Sequence, residues 1–252
     1  TLVAGMALAS LANGQELPQD TVQTLPVLQD DTGSSSLRDA LAAGSHWVKM
    51  RLRYENVDQD SFSDQADALT LRTLLGYKSG EWDGFSMLLE AEDVSAIGDD
   101  DFNSTINGMG SYPVVADPDG TEVNQAFLQY GGFEDTELRA GRQRIVLGDS
   151  RFVGNVGWRQ NEQTFDAYSL NSTRVDGLDV FYAHVTNVNR INGESHAAGN
   201  QAMASNLLQI GHDLEGFGRL EAFLFDLDYT DTVGASTSTV GASLAGNHET
   251  ES

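Results

Sequence analysis

The chain of 252 residues carries 14 Lys and Arg against 38 Asp and Glu, a formal net charge of -24. That balance disfavours a nucleic-acid partner, which would require a basic face, and the absence of cysteine excludes disulfides and thiolate metal sites. No run of about 18 apolar residues is present, so no transmembrane helix is expected, and 26 Gly against 4 Pro favours tight turns over Pro-rich linkers.

Residues 1–14 read as the remnant of a secretory signal peptide. Thr1 to Ala12 is a short apolar stretch of small residues, with Ser10-Leu11-Ala12 and Ala12-Asn13-Gly14 as cleavage candidates. Residues 15–45 read as a polar periplasmic lead-in containing one short helix over Ser36 to Ala43. Ser36 is its N-cap, Asp39 stands three residues on, and Gly44 stops it.

From residue 46 to 252 the period changes to two, the signature of strands. Val48, Met50, Leu52 and Tyr54 alternate with Lys49, Arg51, Arg53 and Glu55. Similar alternation predicts strands over Leu69–Lys78, Phe85–Glu92 and Gln125–Tyr130. Weaker runs follow near Thr136–Ile145, Phe165–Ser172, Leu178–Val185, Asn206–His212, Arg219–Asp228 and Ser238–Ala245. Most run to 8–10 residues, close to the length that a tilted strand needs to cross a bilayer. Short Gly-containing connections (Lys78–Gly84, Gly131–Asp135, Thr173–Gly177, Asp213–Gly218) alternate with mostly longer polar ones (Val57–Asp67, Asp93–Thr121, Val146–Thr164, Thr186–Ser205, Tyr229–Thr237). Sorting of loops by parity marks an antiparallel transmembrane β-barrel of the outer-membrane type; a soluble sandwich has no reason for it. About ten strands of a larger barrel are expected, with the sequence incomplete at the C-terminus.

The strand phase follows from energy. A Lys or Arg facing hydrocarbon near the midplane would cost about 2–4 kcal/mol, so Lys49, Arg51 and Arg53 belong on the lumen side and Val48, Met50 and Leu52 face lipid, together with Leu69, Leu71, Leu75, Phe85, Met87 and Leu89. Arg72 and Arg139 fall on the same lumen phase, whereas the acids crowd the loops, as in Asp58–Asp67 and Asp93–Glu122. Such a wall favours anions. The plainer alternative is that these cations pair with Glu55, Glu90 and Glu92 and brace the wall. If water already solvates the arginines, replacing Arg51, Arg53 and Arg72 with Gln should leave folding nearly intact. Trp47, Tyr54, Tyr77, Trp82 and Tyr130, near strand ends, suit an interfacial aromatic girdle.

RLRYE (Arg51–Glu55), GRQ (Gly141–Gln143), RFVGNVGWRQNEQTFDA (Arg151–Ala167) and NVNRI (Asn187–Ile191) together resemble the alginate-export family of outer-membrane porins of Gram-negative bacteria. The resemblance covers most of Ser36 to about Ala245, and its middle stretch is the most specific part. It implies a larger monomeric barrel in the cell outer membrane, whose Arg-rich lumen passes anionic polymer or small anions. It also implies that Val146–Thr164, with Arg151, Trp158 and Arg159, folds into the pore. The chain departs from the family pattern in ending on the polar run Asn247–Ser252, which would make it truncated at both ends. The lumen-lining anion pathway is assigned to Lys49, Arg51, Arg53, Arg72, Arg139, Arg142, Gln143 and Arg159.

Asp99-Asp100-Asp101 and Asp117-Pro118-Asp119-Gly120 lack the full spacing of a calcium loop and read as solvated acidic loops. The 5 His show no metal spacing. Neither a GxSxG elbow nor a P-loop occurs, and no cofactor is expected. The leading expectation is a passive channel for anionic solutes or anionic oligo- or polysaccharide, in contact with outer-membrane lipid and lipopolysaccharide. A structural or adhesion barrel with a plugged lumen and partner-binding loops is the alternative. A barrel hydrolase, with His184 or His212 paired to a serine, is a third.

Overall fold

The computed structural model describes residues 4–6 and 35–246; the candidate signal cleavage positions and most of the lead-in lie outside the described residues. One antiparallel sheet holds β1 (Ala4–Met6), β2 (Ser45–Val57), β3 (Ala66–Lys78), β4 (Phe85–Ala96), β5 (Gly120–Phe133), β6 (Thr136–Gln143), β7 (Thr164–Ser172), β8 (Asp179–Asn189), β9 (Asn200–Leu214), β10 (Gly218–Leu227) and β11 (Thr237–Ala245). Each strand pairs with the next in an 11-stranded meander. The expectation of an antiparallel sheet with sorted connections therefore holds. Residues 79–84, 134–135, 173–178 and 215–217 join strands at one end, and 58–65, 97–119, 144–163, 190–199 and 228–236 join them at the other.

Local chemistry fixes the short end. The helix α1 (Leu37–Ala42) is capped as the sequence indicates, with Asp39 N–H donating to Ser36 Oγ at 3.2 Å and Ser36 Oγ donating to Asp39 Oδ2 at 2.8 Å. Gly80 N–H donates to Ala40 O and Tyr77 Oη to Leu41 O, tying the helix to the β3 end. The following turn is a two-residue hairpin, Asp83-Gly84, with φ of 51° and 81°. Trp82 and Phe85 exchange both backbone hydrogen bonds at 2.9 Å. Asp-Gly suits this turn because both central residues need positive φ.

The register assigns the faces. Val48 lies opposite Leu75, Leu52 opposite Leu71, and Tyr54 opposite Leu69. Tyr77 then lies opposite Leu89, and Leu89 opposite Ala126. This outer face carries all nine of the residues read as lipid-facing, and Val48, Met50 and Leu75 are 63%, 66% and 58% exposed. The inner face carries Lys49, Arg51, Arg53 and Glu55 on β2, opposite Leu74, Arg72, Thr70 and Ala68 on β3. Two patches stand out among its buried apolar residues. One gathers Ala66 and Ala68 under Phe102 and Val115 of the 97–119 loop. The other gathers Phe165, Val185, Met203, Leu207 and Phe225 under Ile145, Leu147 and Val153 of the 144–163 loop.

Two readings change. Strands β8 and β9 stay paired as far as Asn189 and Asn200, within a segment expected to be a loop. Thr186, Asn187, Asn189 and Gln201 offer no apolar alternation to signal a strand, yet their backbones pair. Trp47 does not join a girdle: it lies opposite Gly76 on the inner face and donates from Nε1 to Glu90 Oε2 at 3.0 Å. Gly76 is what admits it, since a Cβ there would overlap the Trp47 ring.

With Leu52 on the outer face, Leu52→Arg in the full-length protein should destabilise its folding into lipid vesicles by about 2–4 kcal/mol. Urea titration of the folded fraction checks this, and an unchanged midpoint would mean that the outer face does not meet hydrocarbon.

Candidate functional site: the inner face and its inward loop

The 144–163 loop crosses the inner face of β2, β3, β4 and β5, where it has no strand partner to take up its carbonyls. Arginines supply the donors. Arg51 donates from Nη1 to Gly157 O at 2.8 Å, from Nη2 to Arg159 O, and from Nε to Gln160 Oε1 at 2.9 Å. Arg72, directly opposite on β3, donates from Nη1 to Gln160 O at 3.1 Å. The Gln160 amide donates to Thr70 O and Thr70 Oγ1, both at 2.9 Å. Gln160 is fully buried. Like charges placed opposite each other repel, so Arg51 and Arg72 are stable as neighbours because the loop stands between them with acceptors.

A second anchor lies beyond β6. The Glu162 carboxylate accepts from both Arg144 Nε at 2.7 Å and Arg144 Nη2, from Asn124 at 2.6 Å and from Asn155 at 2.8 Å. Burial pushes this carboxyl up, but the Arg144 guanidinium and the two amides outweigh burial and hold it below the usual carboxylate range. The nearby Glu90 is buried and accepts from Asn124 and Gln125 as well as from Trp47.

The acids are not confined to solvated loops. Asp117 is 1% exposed, pairs with Arg53 Nη1 at 2.6 Å and accepts the Gln160 N–H at 3.0 Å. It therefore links the two inward loops to β2. Arg53 and Arg159 also share Glu55, and Arg72 reaches Glu92 at 3.4 Å. The bracing alternative thus describes Arg53, Arg72 and Arg159. The expectation that Gln could replace Arg51, Arg53 and Arg72 with little effect on folding is corrected on the same grounds. These guanidiniums are bonded to protein, and removing one leaves buried acceptors unmet.

The remaining assigned residues divide. Lys49 is exposed on the inner face, 5.9 Å from the Trp47 ring centroid, and makes no ion pair among the described residues. Arg139 is on the inner phase over the Phe127 ring, with Nε 2.7 Å from Glu137 Oε1 but not aligned for a hydrogen bond. Arg142 does not line the lumen. It lies opposite Ala126 on the outer phase, near the long-loop end, and pairs with Asp166 at 2.8 Å and Glu194 at 3.3 Å. The reason is parity: 139, 141 and 143 share one face, so 142 must take the other. Gln143 is on the inner phase but fully buried, accepting from Ser169 Oγ and donating to Ala167 O. It braces β6 against β7 and offers nothing to a solute. The sequence reading missed Gln160, Glu162, Arg144 and Asp117 as functional partners. Only the amide- and acid-rich run Gln160-Asn161-Glu162-Gln163, unusual in a loop meant for water, hinted at them.

Glu162→Ala should loosen the loop at a cost of about 1–3 kcal/mol, since it takes an acceptor from Arg144, Asn124 and Asn155, of which Arg144 and Asn124 keep Glu90. Acid should act in the same direction. The contribution of a carboxylate with a lowered value is complete above its ordinary 4.5 and is lost as pH falls through the folded value. Hydrogen exchange over residues 144–163 should therefore quicken in the variant at neutral pH, and in the wild type only once pH falls below the ordinary carboxylate value of 4.5. Equal protection in both proteins at neutral pH would remove Glu162 as an anchor.

A family model described as alginate export matches residues 45–185. No curated protein matches the chain in sequence. Among solved structures, OccAB4 of Acinetobacter baumannii is similar at a TM-score of 0.58 and 17% identity, over 73% of this chain and 51% of that one. OccAB1 of the same organism gives 0.55 and 16%, over 76% and 46%. A BenF-like porin from Pseudomonas fluorescens Pf-5 gives 0.55 and 15%, over 75% and 51%. The chain spans about half the length of these structures. At such identities the likeness speaks for the fold, an antiparallel outer-membrane β-barrel.

Proposed function

The chain belongs to the alginate-export family, whose members reside in the cell outer membrane, and we propose that it forms part of a channel through which anionic solutes diffuse passively, from small carboxylates to anionic oligo- or polysaccharide. The observation that supports this reading is the charge of the inner wall on β2. Arg53, Arg72 and Arg159 are offset by Glu55, Glu92 and Asp117, which leaves Lys49 and Arg51 with no carboxylate in ion-pair contact among the described residues. In a confined, low-dielectric passage two uncompensated cations act on a passing ion more strongly than surface charges do in bulk water. Outer-membrane lipid is the partner of the outer face, and lipopolysaccharide that of its long-loop rim. These are the contacts of a transporter channel rather than of an enzyme.

One observation favours the second reading, a plugged structural barrel: both long loops, 97–119 and 144–163, pack onto the inner face and are bonded to it. Conductance separates the two. The full-length protein in a planar bilayer should carry current whose reversal potential in a KCl gradient favours chloride, and Lys49→Gln should move that potential toward potassium. Absence of current would favour the plugged barrel. A reversal potential that ignores Lys49 would remove the wall charge as the selecting element.

A further inference from the structure

The apolar part of the outer face is not equally tall on every strand. On β2 the outer phase runs from His46 to Asn56 through Val48, Met50, Leu52 and Tyr54. With a rise of about 3.4 Å per residue and a tilt of about 40°, this stretch covers about 26 Å of depth, close to the apolar band of about 25 Å on an outer-membrane barrel. Asn56 closes it at the long-loop end, donating from Nδ2 to Asp67 Oδ1 at 2.7 Å. On β7 the outer phase holds only Tyr168 and Leu170 between Asp166 and Ser172, and on β6, directly opposite, only Ala140 and Leu138 between Arg142 and Thr136. On β9 it holds only Leu208 and Ile210 between Asn206 and His212. At the same rise and tilt these stretches cover about 16 Å.

The polar groups bounding the short band are bonded to one another. Arg142 Nε donates to Asp166 Oδ1 at 2.8 Å. Asn206 Oδ1 accepts from Tyr182 Oη at 2.9 Å and lies 3.2 Å from His184 Nδ1. The hydroxyls of Thr136 and Ser172 meet at 2.8 Å at the short-turn end. Tyr168, His184, Asn206, Asp226 and Ser238 stand opposite one another in turn, a polar row across five strands. Hydrocarbon cannot solvate such a row. Its internal bonds mean that no protein cover is needed either, and Tyr168 is 64% exposed. An apolar stretch too short for the membrane is accommodated by thinning the bilayer. We propose that the outer face of β6–β9 takes lipid headgroups where β2 takes hydrocarbon, so that the bilayer is thinner against β6–β9 than against β2. This goes beyond the channel reading and rests only on the outer face meeting lipid.

Two positions make a matched pair for the test. Leu52 and Asn206 stand at the same distance along their strands from the lower polar boundaries, His46 and His212. Leu52→Cys and Asn206→Cys in the full-length protein, each spin-labelled and folded into phospholipid vesicles, report collisions with dissolved oxygen and with a water-soluble nickel chelate. The ratio of nickel to oxygen collisions should be several-fold higher at 206 than at 52. Equal, oxygen-dominated ratios would mean that hydrocarbon reaches the polar row and would overturn the proposal. Protection of 206 from both reagents would overturn it in favour of a second copy of the chain covering this face. Nickel-dominated ratios at both positions would overturn the lipid reading of the outer face together with the thinning. Should Asn206→Cys fail to fold, the unlabelled protein decides by its folded fraction in short-chain and long-chain phosphatidylcholine vesicles. Arg142→Leu combined with Asp166→Leu lengthens the short band on two strands and should shrink the preference for the short-chain lipid. A preference that the double substitution leaves unchanged would overturn the proposal.

Discussion

Backbone polar groups must find partners wherever water is scarce, and the rest of this structure follows from that constraint. The strands meet it sideways, each bonded to the next. The 144–163 loop cannot, because it runs across the strands rather than along one. Irregular backbone of this kind survives inside a membrane protein only where protein or water satisfies it. Arg51 and Arg72 satisfy it here through the carbonyls of Gly157, Arg159 and Gln160. The arginines of β2 and β3 are thus first of all donors to a loop.

That role changes how the wall charge is understood. A row of cations facing open water would repel itself. Instead, Glu55, Glu92 and Asp117 sit within ion-pair distance of Arg53, Arg72 and Arg159, so most of the charge is spent locally. Lys49 and Arg51 are the cations of β2 with no carboxylate in ion-pair contact among the described residues. On the proposed reading of this face as an anion path, a nearly balanced wall suits passage better than tight capture, because a site that conducts must also let go.

The sheet was legible in the sequence because period two depends on which face meets hydrocarbon, and nothing else about the chain competes with that signal. Val48, Met50 and Leu52 declare it outright. The helix α1 was legible for a local reason, the Ser36–Asp39 cap. The inner site was only partly legible. Arg51, Arg53 and Arg72 could be phased by parity, but their partners come from residues 88 to 109 positions away in the case of Gln160, Gly157 and Arg159, and an irregular loop has no period to reveal its course. Parity alone puts Arg142 on the other face of β6 from Arg139. The resemblance to the family did place the 144–163 loop inside, which periodicity could not.

The two faces of β2 have different solvents, lipid outside and the inner passage within, and every other assignment of faces depends on that difference. The chain contains no cysteine, so single cysteines placed from Val48 to Tyr54 in the full-length protein, folded into lipid vesicles, can be assayed one at a time. Positions 48, 50 and 52 should resist a charged aqueous thiol reagent, whereas position 49 should react with it. Aqueous reactivity at positions 48, 50 and 52, with protection at 49, would contradict the assignment of faces and everything built on it.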